Sequence, residues 1–110
     1  MRLRNAGVAA LGALTLLLAV PSPANAAAGE FIYKTGLLGG KEASLPDPQS
    51  SICINLDGTS ELEPGFSPRN YTDATATVFA DTDCNGDVYY VMNPGKKLGP
   101  LVRIRSVIFA

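Results

Sequence analysis

The sequence predicts an all-β domain, a small two-sheet sandwich with one disulfide, behind an export leader. Three observations carry this. No stretch of residues 27–110 sustains apolar positions at i, i+3, i+4 and i+7 over three turns. Short β-rich runs occur instead, separated by Gly, Pro, Asn and Asp clusters. The chain opens on a basic, apolar, small-residue order, and its two cysteines both follow that segment.

The leader comes first. Met1-Arg2-Leu3-Arg4 is basic, and an apolar run extends from Ala6 to Val20. Pro21, Pro23 and Ala24-Asn25-Ala26 close it in the small-x-small pattern of a signal-peptidase site. The run is shorter than the ~20 apolar residues that cross a bilayer. Residues 1–26 therefore read as a secretory signal peptide cleaved after Ala26, and the product as extracellular, with no membrane contact in its mature form. Cleavage removes Arg2 and Arg4 of the nine basic residues and none of the ten acids. The mature chain, 110 minus 26 or 84 residues, carries seven basic and ten acidic groups, a formal charge of −3.

Five β-rich runs follow. Phe31-Ile32-Tyr33 is the first, and in Ile52-Cys53-Ile54-Asn55-Leu56 the apolar residues alternate onto one face. Thr75 to Phe79 is rich in β-branched residues, and Val88-Tyr89-Tyr90-Val91-Met92 is the fourth run. Leu101 to Phe109 is the longest, with Val102, Ile104, Ser106 and Ile108 expected on the inward face and Arg103 and Arg105 on the other. Leu45 to Pro48, Glu63-Pro64-Gly65 and Asn93-Pro94-Gly95 read as loops, and Asp57-Gly58 as a turn. Seven or eight short strands in a chain of this size fit a sandwich.

Cys53 and Cys84 are the only cysteines, and export places them in an oxidising compartment where a single pair bridges. A closed loop of about 30 residues contributes roughly 3–4 kcal/mol on the chain-entropy account. For a domain with a modest core that increment matters.

An internal repeat is present. Tyr33 and Gly40 are seven positions apart, as are Phe79 and Gly86, and each aromatic ends a β run. After Gly86 come Tyr90 and, further on, Ser106, and Thr75 stands in the serine's place in the first half. The halves are 30–75 and 76–110. This arrangement resembles the βγ-crystallin Greek-key motif: an aromatic, six residues, a glycine, and a later serine that pins a folded hairpin. The resemblance implies a single Greek-key domain over residues 27–110. It implies a glycine with positive φ where the hairpin folds, and a serine hydroxyl bonded to the hairpin backbone. Among single-domain secreted proteins it is similar to the streptomycete metalloproteinase-inhibitor family and a related killer-toxin-like protein.

Asp81-Thr82-Asp83-Cys84-Asn85-Gly86-Asp87 is the stretch richest in chemistry. Asp-x-Asp-x-Asn-Gly matches the first six positions of an EF-hand loop, so Asp81, Asp83, Asn85 and Asp87 are candidate ligands for a weak calcium site. Position twelve is Met92 rather than glutamate, and no helices flank the loop, which favours an Asp/Asn/Gly turn and no cofactor. The crystallin calcium segments would be Asn70 to Thr75 and Leu101 to Ser106, and the second holds two arginines and no carboxylate. Asn70-Tyr71-Thr72 also spells a glycosylation sequon. Lys96, Lys97, Arg103 and Arg105 read as a solvated basic strand edge.

Composition excludes several activities. With no histidine, Ser-His-Asp, Cys-His and HExxH chemistry are absent. The near-neutral charge gives no electrostatic case for nucleic acid. The expectation is a monomeric, non-catalytic secreted binding protein, a peptidase-inhibitor-like module acting on an extracellular peptidase through a rigid exposed loop. Leu45 to Pro48 and Met92 to Pro100 are the Pro-bounded candidates for that loop. A calcium-binding or structural extracellular module and a secreted toxin or antagonist are the alternatives.

Overall fold

A computed structural model describes residues 26–36 and 40–110. The expected signal peptide, apart from Ala26, lies outside the described residues. The chain is all-β, with two antiparallel sheets and one disulfide. Its strands are β1 (Gly29–Thr35), β2 (Lys41–Pro46), β3 (Cys53–Asn55), β4 (Phe66–Thr72), β5 (Ala76–Phe79), β6 (Tyr89–Met92) and β7 (Ser106–Phe109).

The first sheet has the order β2-β1-β4 and the second β3-β7-β5-β6. β3 precedes β4 in the chain yet pairs with β7 in the second sheet. The reverse traffic also occurs: Lys97 bridges Arg69 of β4, and Leu98 N–H donates to Pro68 O at 3.0 Å. Each sheet is thus extended by a segment from the other half of the chain, and neither half closes alone.

Alternation sets the core. Phe31 and Tyr33 point inward from β1, with Ala43 and Leu45 beside them on β2. Ala76, Val78, Met92, Val107 and Phe109 face them from the second sheet. The rings of Phe31 and Phe109 meet edge to face, centroids 5.5 Å apart at 83°, a favoured geometry. Tyr33 donates its hydroxyl to Asp57 O at 2.9 Å. Burial, reinforced by the Asp57 charge, raises its pKa above the ordinary tyrosine value.

Two strands differ from the sequence expectation. Leu45 and Pro46 belong to β2, and Phe66–Thr72, which has no strand-like pattern, is the strand that closes the first half. Thr75 to Phe79 does not fill that place; its strand portion, Ala76–Phe79, opens the second half. The register of β1 against β4 shifts between Ile32 and Lys34, leaving Ser67 and Pro68 opposite Tyr33. Such a bulge accommodates a proline that a regular central strand would reject. On the outer side of this sheet Arg69 pairs with Glu42, which lowers the glutamate's pKa and raises the arginine's.

Asn70 is the polar tie between the sheets. It is fully buried. Its amide donates to Ala74 O and to Met92 O, both at 2.8 Å, and Met92 belongs to β6 of the opposite sheet. Its carbonyl oxygen accepts from Thr72 N–H at 3.0 Å and Thr72 Oγ1 at 2.7 Å. All four of its hydrogen-bonding positions are satisfied. The sequon is therefore a structural cluster turned into the core. Asn70→Ala is expected to destabilise the fold by about 2–4 kcal/mol, because it strands buried polar groups. Urea unfolding of the variant against the parent chain measures this.

Candidate functional site

The second sheet has an outer face that is not left to solvent. In β7, Val107 and Phe109 pair with Val78 and Ala76 on the core side. Ser106 and Ile108 therefore point the other way, in rows with Phe79 and Thr77 of β5 and Asn55 and Cys53 of β3. Ser106 is nonetheless fully buried. The segment after β5 folds back and covers it.

That fold-back is held at four points. Ser106 Oγ donates to Asp81 O at 2.6 Å and accepts from Cys84 N–H at 2.9 Å. Asn55 accepts from Asp83 N–H at 2.8 Å and donates to Asp83 Oδ1 at 3.0 Å. Cys53 and Cys84 are bridged, Cα atoms 5.9 Å apart. Arg105 Nη1 donates to Ala80 O at 2.7 Å, at the base of the loop. The backbone pays with two consecutive left-handed residues, Asp83 at φ 61° and Cys84 at φ 52°. Gly86 turns at φ 90°, where a Cβ would sit 2.3 Å from Asp81 Oδ2.

The serine expected to bond the hairpin backbone does so, but from the outer face rather than the inward one. The alternation counted through Val102–Ile108 does not run unbroken. Ile104 makes an isolated bridge to Gly65, the chain bends at Arg105, and the ladder starts at Ser106. Ile104, Val107 and Phe109 are the core residues, while Val102 and Ile108 are half-buried.

The two halves of the repeat differ at their corners. Gly40 turns at φ 73°, and a Cβ there would sit 2.6 Å from the Phe66 ring and 3.3 Å from Lys34 Cβ. Tyr33, however, lies in the core, whereas Phe79 lies on the outer face, its ring 5.8 Å from that of Tyr89. A one-residue offset along a strand exchanges faces. Tyr90 sits opposite Val78, partly exposed. Thr75 does not reach the Gly40 corner: its backbone pairs with Ala110, and its hydroxyl is 3.4 Å from Asn93 Oδ1.

Among the described residues no three His, Cys, Asp or Glu side chains are placed to hold a metal ion together. Asp83 is engaged by Asn55, and Asp81 packs against Gly86. Asn85 and Asp87 are exposed.

Arg105 does more than anchor the fold-back. Its Nε donates to Ser60 O at 2.8 Å and its Nη2 to Glu61 O at 2.6 Å. One guanidinium thus binds three backbone carbonyls from two loops. It is half-buried and no part of a solvated basic edge. The Ser60–Pro64 loop is closed internally as well: Ser60 N–H donates to Glu63 O at 2.8 Å, and Glu63 N–H donates to Ser60 Oγ at 3.1 Å. Gly65 and Ile104 exchange backbone bonds at 2.7 and 2.9 Å just beyond it. On this braced loop Leu62 is 90% exposed. Beside it lies a groove of about 380 Å³, lined by Leu62, Pro64, Phe66, Pro100, Arg103 and Arg105 among others.

The two loops singled out in the sequence are used differently. Leu45 is half-buried in β2, and Pro48 is buried, its carbonyl accepting from Ala27 N–H at 2.8 Å. Residues 95–98 lie along β4: Asn70 N–H donates to Lys96 O at 2.9 Å, and Gly95 N–H donates to Asn70 O at 2.7 Å. Lys97 Nζ stands 5.9 Å from the Tyr71 ring centroid. Nothing in the sequence marked the Ser60–Pro64 loop beyond its closing Glu-Pro-Gly.

No protein-family model, no curated protein and no solved structure matches the chain.

Two outcomes follow from the fold-back. Ser106→Ala is expected to cost about 1–3 kcal/mol. Ser106→Val, favoured by strand propensity, should lower the melting temperature rather than raise it; thermal unfolding separates the signs. Calcium at millimolar concentration should leave the melting temperature unmoved, whereas a ligand at 100 times its dissociation constant adds about 2.7 kcal/mol. A calcium-dependent rise abolished by Asp83→Ala would reverse that reading.

Proposed function

We propose that this chain is a secreted, non-catalytic binding module of βγ-crystallin-like Greek-key design, which inhibits a peptidase through the Ser60–Gly65 loop. The observation that carries the reading is the contrast at Leu62. Its side chain is 90% exposed, while the carbonyls of Ser60 and Glu61 just before it are both bound by Arg105. A protease cleft favours a preorganised loop with a protruding side chain, because little ordering entropy is then lost on docking. An apolar residue fixed in that way suits an enzyme with an apolar specificity pocket.

Other features support the setting. The basic-apolar-small order of residues 1–26 supports export, and the disulfide is compatible with an oxidising compartment. The exchange of β3 and of the 95–98 segment between sheets supports a paired Greek-key design. The absence of histidine from the chain favours binding over catalysis.

The test is a panel of metallo- and serine peptidases assayed with the purified chain. At least one enzyme that cleaves beside leucine should be inhibited. Leu62→Asp should weaken that inhibition at least about tenfold, since truncating a central anchor costs more than 1 kcal/mol, with an unchanged melting temperature. A panel left untouched, or inhibition indifferent to Leu62→Asp, would remove the proposal.

A further inference from the structure

The edges of the two sheets are unequally protected. The free side of β2 carries Lys41, Glu42 and Pro46, residues that discourage strand pairing. The open side of β4 is covered by residues 96–98. β3 is three residues long and is tied by Cys53 to the fold-back. β6 has none of these devices. Val88, Tyr89, Tyr90 and Val91 are consecutive, uncharged and free of proline, and they are 54%, 54%, 38% and 56% exposed.

Backbone direction can be read from the ladder. Ala80 N–H donates to Val88 O at 3.0 Å. In an antiparallel pair the bonds alternate, so Val88, Tyr90 and Met92 turn their backbone groups toward β5, and Tyr89 and Val91 turn theirs outward. Among the described residues β6 pairs with β5 alone.

We propose that β6 pairs with β6 of a second copy of this chain, antiparallel about a two-fold axis at Tyr90, so that two four-stranded sheets join into one of eight strands. In this register Tyr89 of each copy lies opposite Val91 of the other. The outward N–H and C=O groups of both residues then close four hydrogen bonds, an aromatic faces a β-branched residue in each pair, and the interface is isologous. Tyr90 meets Tyr90 at the axis.

Charge selects the same direction. Asp87 adjoins the start of β6, and Lys96 follows the turn at Asn93 just after its end. Antiparallel pairing sets Asp87 of each copy toward the end that carries the other's Lys96, whereas parallel pairing would set like against like. This departs from the monomer expected from sequence, and it leaves the Ser60–Gly65 loop out of the contact. A single shared edge is a small interface, so the association is concentration-dependent.

Sedimentation equilibrium from micromolar to millimolar chain tests it. The parent chain should pass from the mass of one chain to that of two. Val91→Lys changes an exposed side chain whose backbone faces outward, so its melting temperature at low concentration should match the parent's. Its dissociation constant should rise at least about tenfold, equivalent to 1.4 kcal/mol. Under mild oxidation Tyr90→Cys should give a disulfide-linked dimer, while Leu101→Cys, at a site 91% exposed, should not. A parent chain that keeps the mass of one chain at millimolar concentration overturns the proposal. So does a Val91→Lys dimer of unchanged affinity, or equal cross-linking of the two cysteine variants.

Discussion

The fold-back over the second sheet is a conformation the chain would not adopt locally, and much of the architecture exists to hold it. Asp83 and Cys84 are both left-handed, which costs roughly 1–2 kcal/mol per residue. Against this stand two bonds from a buried serine, two from Asn55, and a covalent link that closes a separation of 31 residues. The holding groups come from β3 and β7, which are adjacent in the second sheet but far apart in sequence. The loop can be held only after those strands have paired. In return it covers Ser106, so that a hydroxyl on an outer face becomes a buried, doubly bonded group.

Arg105 carries the constraint beyond the fold-back. Because one planar guanidinium touches Ala80, Ser60 and Glu61, the base of the fold-back and the Leu62 loop share a single anchor. The fixed fork of donors in arginine suits this task, whereas a lysine ammonium would supply a point charge without the planar spacing. Asn70 plays the matching part between the sheets, joining β4 to the carbonyl of Met92. The exchanged segments make both ties necessary: a half-chain would expose the strand edges that the other half covers.

Much of the fold was legible where side-chain chemistry and backbone geometry agree. Phe31–Tyr33, the run around Cys53, Ala76–Phe79 and Tyr89–Met92 are rich in β-branched and aromatic residues, and all lie in strands. The disulfide was legible from the even cysteine count and the expectation of export, and Ser106 from its place in the repeat. β4 was not, because Ser67-Pro68-Arg69-Asn70 has poor strand propensity and is extended by its position between β1 and residues 96–98. Arg105 was not, because a guanidinium on a terminal strand reads as solvated until its three carbonyl partners are in place. The inward face of β7 was misjudged by one position, since alternation restarts after the bend at Arg105.

The buried Asn70 has a bearing on how the protein can be produced. Its side-chain nitrogen gives both hydrogens to carbonyls inside the domain, yet Asn70-Tyr71-Thr72 spells an acceptor for N-linked sugar. A host that glycosylates nascent chains acts before the core has closed. A sugar on that nitrogen would remove one of the two donors and place a bulky polar group where no space exists. Expression in such a host would therefore divide the product into an unmodified folded fraction and a glycosylated one unable to complete the sandwich. A bacterial host without that machinery avoids the division.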